Sequence, residues 1–273
     1  MQPSVTISLV PQAKGGPFVF WGDLAGGCAK AAALGYAAVE IFLPGADALD
    51  QVALRDLLDQ HRLKLAALGT GAGWVIHRWT LTHPEAAIRG QAKKFIGSLI
   101  DLAASFGAPA IVGSMQGRFE NEVTREQALA WLGEGLNELG ARAQDRGVPL
   151  FFEPINRYET NLCNRLGDAV ELLASFQSRN VKLLADLFHM NIEEVSIADA
   201  LRAAGKHVGH VHFVDSNRRP AGAGHLDFRP VIAALREIGY AGYLSAESLP
   251  HPNPESAARQ TMATFRRIIS ASQ

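Results

Sequence analysis

The sequence predicts a single (β/α)8 barrel spanning residues 1–273. Three observations lead there. Short apolar runs rich in β-branched residues alternate strictly with helical stretches, eight times at roughly 30 residues per unit. The first strand runs into PQAKGGP, which is neither a GxGxxG turn nor a P-loop, so the phosphate signature of a doubly wound open sheet is missing. No low-complexity linker or fixed-period repeat divides the chain, and about 250 residues suffice for eight strand–helix units.

Taken in order, residues 5–10 alternate as a strand, and a Gly/Pro-containing loop runs from Pro11 to Phe20. Residues 23–34 read as a helix weakened by Gly26 and Gly27 and stopped by Gly35. The second strand is 37–42 (AAVEIF); the helix 49–61 follows, with Val52, Leu54, Leu57 and Leu58 as its apolar stripe. The third strand is 63–68. Residues 69–83 are expected as a loop, with Trp74, Ile76 and Trp79 unusually apolar for one. Pro84 opens a long helix to about Phe106, since a first turn has no use for the missing N–H. Strand four is 109–112, and the loop 113–122 carries Arg118. Helix 124–146 starts at Thr124, an N-cap with Gln127 three residues on, and Gly147 ends it. Strand five (148–153, VPLFFE), helix 167–176, strand six (181–186, VKLLAD) and helix 197–204 follow. The stretch 207–228, HVGHVHFVDSNRRPAGAGHLDF, begins as strand seven and ends in a polar loop. Helix 227–238, a strand containing 243–247 and helix 254–269 close the chain.

Composition narrows the function. The chain is 48% hydrophobic and 19% charged, with a net charge of -1. Such a balance gives no long-range attraction to nucleic acid or to an anionic membrane. The two cysteines, Cys28 and Cys163, are too few for a disulfide framework and lack zinc-motif spacing, which makes a reducing cytoplasm the expected setting. The first residues lack the basic and apolar regions of a signal peptide, and no stretch approaches the ~18 consecutive apolar residues of a membrane span.

The chemistry lies in the later strands. Strands five to eight end in Glu153, Asp186, His212 and Glu247. In a parallel barrel these ends share one rim, with neighbouring strands about 4.8 Å apart. Alone, each acid reads as a turn residue or helix cap, and the histidine as a core residue. Four in succession, three of them carboxylates that are costly to bury unpaired, point to one metal ion. An oxygen-rich set with one imidazole and no thiolate suits Mn²⁺ first, then Mg²⁺ or Co²⁺. His210 and His212 alternate along their strand and share a face; His212 is the ligand, and His210 lies one layer deeper, packed and hydrogen-bonded. Glu153 and Glu247, three strands apart, are expected to flank a substrate, one removing a proton beside a metal-polarised ketone and the other returning it from the opposite face. Arg118, on the same rim after strand four, suits a carboxylate and is expected to hold the acid end of a keto-sugar acid, with His77 and Arg78 as lesser candidates. Trp21, Trp74 and Trp79 fit loop packing, a subunit contact or a wall over a sugar.

FFEPINRYETN (151–161), LLADLFHMN (183–191), HVHFVDSNRRPAGAGHLDF (210–228) and SAES (245–248) resemble the sugar isomerase/epimerase barrels related to xylose isomerase. Within them the chain is similar to the D-tagatose 3-epimerase and D-psicose 3-epimerase group, and more so to a 5-keto-L-gluconate epimerase-like branch. GTG at 69–71, LTHP at 81–84 and GR at 117–118 carry the same likeness. The resemblance implies Glu153, Asp186, His212 and Glu247 as metal ligands, Glu153 and Glu247 as the acid/base pair, and Glu159, His189 and Arg218 as holders of substrate oxygens. It implies epimerisation next to the ketone of a ketose or keto-sugar acid through an enediolate, in a homodimer or homotetramer. The alternatives are an aldose–ketose or hydroxypyruvate-type isomerase, an inosose dehydratase-like lyase, and a non-catalytic sugar-binding barrel.

Overall fold

Strand pairing closes the sheet on itself. The computed structural model describes residues 1–270; the last three residues of the expected domain lie outside them. The strands are β1 (Gln2–Ser8), β2 (Phe20–Trp21), β3 (Ala38–Phe42), β4 (Lys64–Gly69), β5 (Ala110–Val112), β6 (Leu150–Phe152), β7 (Val181–Asp186), β8 (Val208–His212) and β9 (Tyr243–Ala246). All pairings are parallel, in the order β2-β1-β3-β4-β5-β6-β7-β8-β9, and β9 returns to β1. Eight strands therefore form the ring. β2 takes over the edge of β1 beyond β9, pairing Ile7 and Ser8 where β9 has paired Gln2 to Val5. The fold is the expected (β/α)8 barrel.

Around the ring stand α1 (Leu24–Leu34), α2 (Gln51–His61), α3 (Ala72–His77), α4 (Ala86–Ala104), α5 (Arg125–Asp145), α6 (Leu166–Ala174), α7 (Leu187–Glu193), α8 (Ile197–Ala204), α9 (Phe228–Glu237) and α10 (Pro254–Ser270). Their ends follow local chemistry. Asp23 and Asp227 cap α1 and α9, and Thr124 with Gln127 forms a reciprocal capping box on α5. Gly35 stops α1 in the left-handed conformation at φ 88°.

Three departures from the sequence reading have physical causes. α3 lies in the segment expected as a loop; it has Gly71 at its N-cap and no side-chain cap, so it carries no start signal. α7 begins directly on Asp186, with no turn to separate strand from helix. Val52 is 69% exposed, whereas Leu54 and Leu58 are buried. The buried stripe of α2 follows the i, i+4 spacing of those two leucines, and Val52 falls off it.

The core divides at the ring. Ala67, Ile111, Phe151 and Leu184 pack together as one small cluster from four adjacent strands. Larger clusters pack strands against helices, among them Phe152 and Phe213 with Ile232 and Leu235 of α9. Full burial of a side chain of this size is worth about 1.5–3 kcal/mol. Among the described residues no helix is long and apolar enough to cross a membrane.

Candidate metal centre and active site

Four strand ends meet at one point. Asp186 and His212 are the last residues of β7 and β8, while Glu153 and Glu247 stand one residue past β6 and β9. One donor atom from each lies within 4.8 Å of the other three. His212 Nδ1 is 3.0 Å from Asp186 Oδ2, 3.3 Å from Glu247 Oε2 and 3.6 Å from Glu153 Oε1. Its other nitrogen, Nε2, is 3.1 Å from Glu40 Oε1. Both imidazole nitrogens thus face carboxylate oxygens. A proton on Nε2 serves Glu40 and leaves the Nδ1 lone pair facing three acceptors, a grouping that a cation resolves. The donor set fits a divalent ion. Burial, with the charges of Glu247 and Asp186 beside it, pushes the Glu153 carboxyl well above the usual range. Gly113 makes room for that carboxylate: a Cβ there would collide with Glu153 Oε2.

A cavity of about 380 Å³ opens at this point, lined by Glu153, Glu159, His189, His212, Arg218 and Glu247 and also by Lys14, Phe18, Phe42 and Trp74. Arg218 Nη2 donates to Glu247 Oε2 at 2.7 Å, and the guanidinium lies 4.7 Å over the Phe188 ring. Arg218 holds φ at 58°, in the left-handed region that L-residues avoid. The buried Asp215 carboxylate fixes this loop, accepting from the backbone N–H groups of Ser216, Gly222 and Leu226 at 2.8, 2.8 and 3.1 Å. His189 Nδ1 faces two donors of Asn156, at 3.2 Å (backbone N) and 2.7 Å (Nδ2), and its Nε2 lies 3.1 Å from Arg218 Nη1. The amide of Asn156 is oriented by Tyr158 N, which donates to its Oδ1 at 3.0 Å. With Nδ1 as the acceptor, Nε2–H and Arg218 Nη1 can both donate to one oxygen that bridges the two nitrogens from the cavity.

Burial drives the His189 pKa from 6.5 down to about 3. The ring is therefore neutral in the fold but charges readily once unfolded. The unfolded state binds this proton first, so the contribution is complete above pH 6.5 and is lost as pH falls toward 3. His189→Gln is expected to make the fall of thermal stability between those limits shallower, as read by unfolding midpoints across pH. A slope unchanged from wild type would refute the assignment.

Residues 28–268 match the model of the xylose isomerase-like TIM barrel family. The chain belongs to that family. It is 29% identical over 244 residues to an L-ribulose 3-epimerase of Methylomonas sp. (strain DH-1), covering 88% of this chain and 83% of the relative. A D-psicose 3-epimerase of Agrobacterium fabrum (strain C58 / ATCC 33970) is 33% identical over 171 residues, which are 61% of this chain and 59% of that protein, under two thirds of its length. Among solved structures, the D-allulose 3-epimerase from Methylomonas sp. in complex with D-allulose superposes with a TM-score of 0.81 at 26% identity, covering 97% of both chains.

In this xylose isomerase-like barrel the expected site residues fall into two places. Glu153, Asp186, His212, Glu247, Glu159, His189 and Arg218 come together as described. Arg118 lies apart, in an adjoining cavity of about 310 Å³ with Arg78 and His83. Its side chain is half exposed and 4.0 Å from Glu120. The two cavities share Trp74, Ser114, Ile155 and Glu159. His77 stacks on Trp79 at 4.2 Å, and Trp21 donates to the Phe18 carbonyl at 2.7 Å. His210 is buried as expected, its Nε2 2.8 Å from Glu40 Oε2. Glu40 and Asn156 escaped the sequence reading. Glu40 did leave a signal: it is the lone acid of AVEIF, a strand buried at every position. Asn156 left none beyond its place in NRYETN.

Proposed function

We propose that the chain is a divalent-metal-dependent epimerase that inverts the carbon beside the ketone of a ketose or keto-sugar acid. The observation that carries this reading is the pair Glu153 and Glu247, which reach His212 Nδ1 from strands three steps apart, at 3.6 and 3.3 Å, and both line the cavity. The two Methylomonas enzymes and the Agrobacterium enzyme, all named as sugar 3-epimerases, support it. An ion held by Glu153, Asp186, His212 and Glu247, Mn²⁺ by preference, would supply Lewis-acid stabilisation of the substrate oxygen on which negative charge develops.

The chain's own groups do the rest. One glutamate takes the proton from the carbon beside the carbonyl; the C–H bond breaks and its electron pair moves into the enediolate. The other glutamate, protonated, delivers a proton to the opposite face, and the carbonyl re-forms with the centre inverted. His189 Nε2–H and Arg218 hold one substrate oxygen, and Glu159 accepts from a hydroxyl. Arg118 takes the acid end of a substrate long enough to enter the adjoining cavity. Residues 1–273 form one domain, assembled as a homodimer or homotetramer in the cytoplasm.

Incubation with Mn²⁺ and a panel of ketoses and keto-sugar acids in D₂O is expected to place deuterium at the inverted carbon. Deuterium at C1 alone would replace the epimerase by an isomerase. Exchange in none of the compounds would remove both.

A further inference from the structure

We propose that Glu40 is a positioning residue that sets the tautomer and orientation of His212, with His210 as the second donor that locks its carboxylate. This rests on the reading of His212 as a metal ligand, and the experiment below separates the two.

Glu40 sits in the middle of β3, three strands around the ring from β8, and reaches across the barrel interior. It is 4% exposed, a position where an unpaired carboxylate is very costly. Each of its oxygens serves one imidazole: Oε1 is 3.1 Å from His212 Nε2, and Oε2 is 2.8 Å from His210 Nε2. Two imidazole nitrogens at hydrogen-bond distance, one on each oxygen, are the partners that make its burial tolerable, and they suit a carboxylate that accepts twice. An ionised carboxylate only accepts. Both rings then carry N–H at Nε2, and with an ion bound the Nδ1 lone pair of His212 is left for the point shared with Asp186, Glu153 and Glu247.

The carboxylate cannot turn away from this duty. His210 and His212 are two residues apart on β8, their ring planes 83° apart, so the two N–H groups approach from different directions. His210 is itself stacked on Phe151 at 5.4 Å. Glu40, His210 and His212 also bring donor atoms within 4.8 Å of one another. Yet each imidazole bonds its own oxygen at hydrogen-bond distance, so the trio is a saturated unit and not a second cation site. A glutamine at this position would offer N–H to one ring and drive that ring's proton to Nδ1. On His212 that proton would point into the ligand cluster.

The test uses the full chain and two readouts. Titration with Mn²⁺ alone is expected to show Glu40→Gln binding about 10–100-fold more weakly than wild type. The ¹⁵N spectrum of the wild-type histidine side chains with Mg²⁺ is expected to show His210 and His212 protonated at Nε2, with His212 Nδ1 free of hydrogen. Affinity of E40Q within about twofold of wild type overturns the proposal. So does a His212 protonated at Nδ1 and bare at Nε2. If E40Q fails to fold, the wild-type spectrum still decides. If wild type takes up neither Mn²⁺ nor Mg²⁺, the metal reading fails, and Nε2 protonation in the metal-free protein supports or refutes the role of Glu40 by itself.

Discussion

Glu153→Gln and Glu247→Gln are each expected to lose inversion while keeping proton exchange on one epimer only. Inversion needs a group on each face of the reacting carbon, and glutamine neither takes nor gives the proton. The loss of a positioned acid or base costs about 10²–10⁴ in rate. The carboxamide keeps an oxygen donor in nearly the same place, so metal uptake falls less than turnover when Mn²⁺ is saturating. With one carboxylate left, the epimer whose hydrogen faces it can still be deprotonated and reprotonated on that face. Each variant, supplied with the two epimers separately in D₂O, should therefore label one of them, and the two variants should label opposite ones. Inversion by either variant above about one hundredth of the wild-type rate would dismiss the two-glutamate mechanism. Labelling of the same epimer by both would do so as well.

Saturating Mn²⁺ is expected to raise the thermal unfolding midpoint by about 5–10 °C over chelator-treated protein. Ligand at about 100 times its Kd stabilises by about 2.7 kcal/mol, and each kcal/mol shifts a domain of this size by roughly 2–4 °C. The dependence on pH has a definite sign. Burial raises the Glu153 carboxyl above its ordinary 4.5, so without metal the fold holds this proton more tightly than the unfolded chain does. Its contribution is complete below that value and is lost as pH rises through the raised folded pKa. An ion at the same oxygens needs the proton gone, so the benefit of Mn²⁺ grows with pH over the same window. Differential scanning with and without chelator at several pH values reads this directly. A midpoint indifferent to metal throughout would count against the site.

Much of the barrel and of the candidate site is legible in the sequence, because each signal is local. An acid or imidazole closing an apolar run breaks the pattern of its own strand, and Glu153, Asp186, His212 and Glu247 each do so. Thr124 with Gln127 announces α5 within four residues for the same reason. What escaped depends on distance. Glu40 meets its partner His210 across 170 residues of sequence, and no spacing rule connects them. α7 escaped because Asp186 serves two purposes at once, closing β7 and accepting from Phe188 N and His189 N at the start of the helix. Arg118 was correctly placed after β5, but which cavity its side chain enters is set by turns of the 113–122 loop that residue type does not encode.

The cavity has two authors in the chain. Its wall of Gln12, Lys14, Phe18, Phe42 and Trp74 comes from segments before residue 80, whereas the groups proposed to move protons and hold substrate oxygens come from segments after residue 150. The four residues of the metal cluster stand at strand ends, whereas Lys14 and Phe18 lie in the 11–20 loop, so selection can reshape that part of the wall without disturbing the cluster. Substrate range and reaction type are then separately heritable traits of one polypeptide. The segments 11–20 and 69–83 become the place to graft from relatives when a new sugar is wanted, and the second half of the barrel the part to leave alone. Glu40 marks the limit of that freedom: it belongs to the first half by sequence and to the second by chemistry.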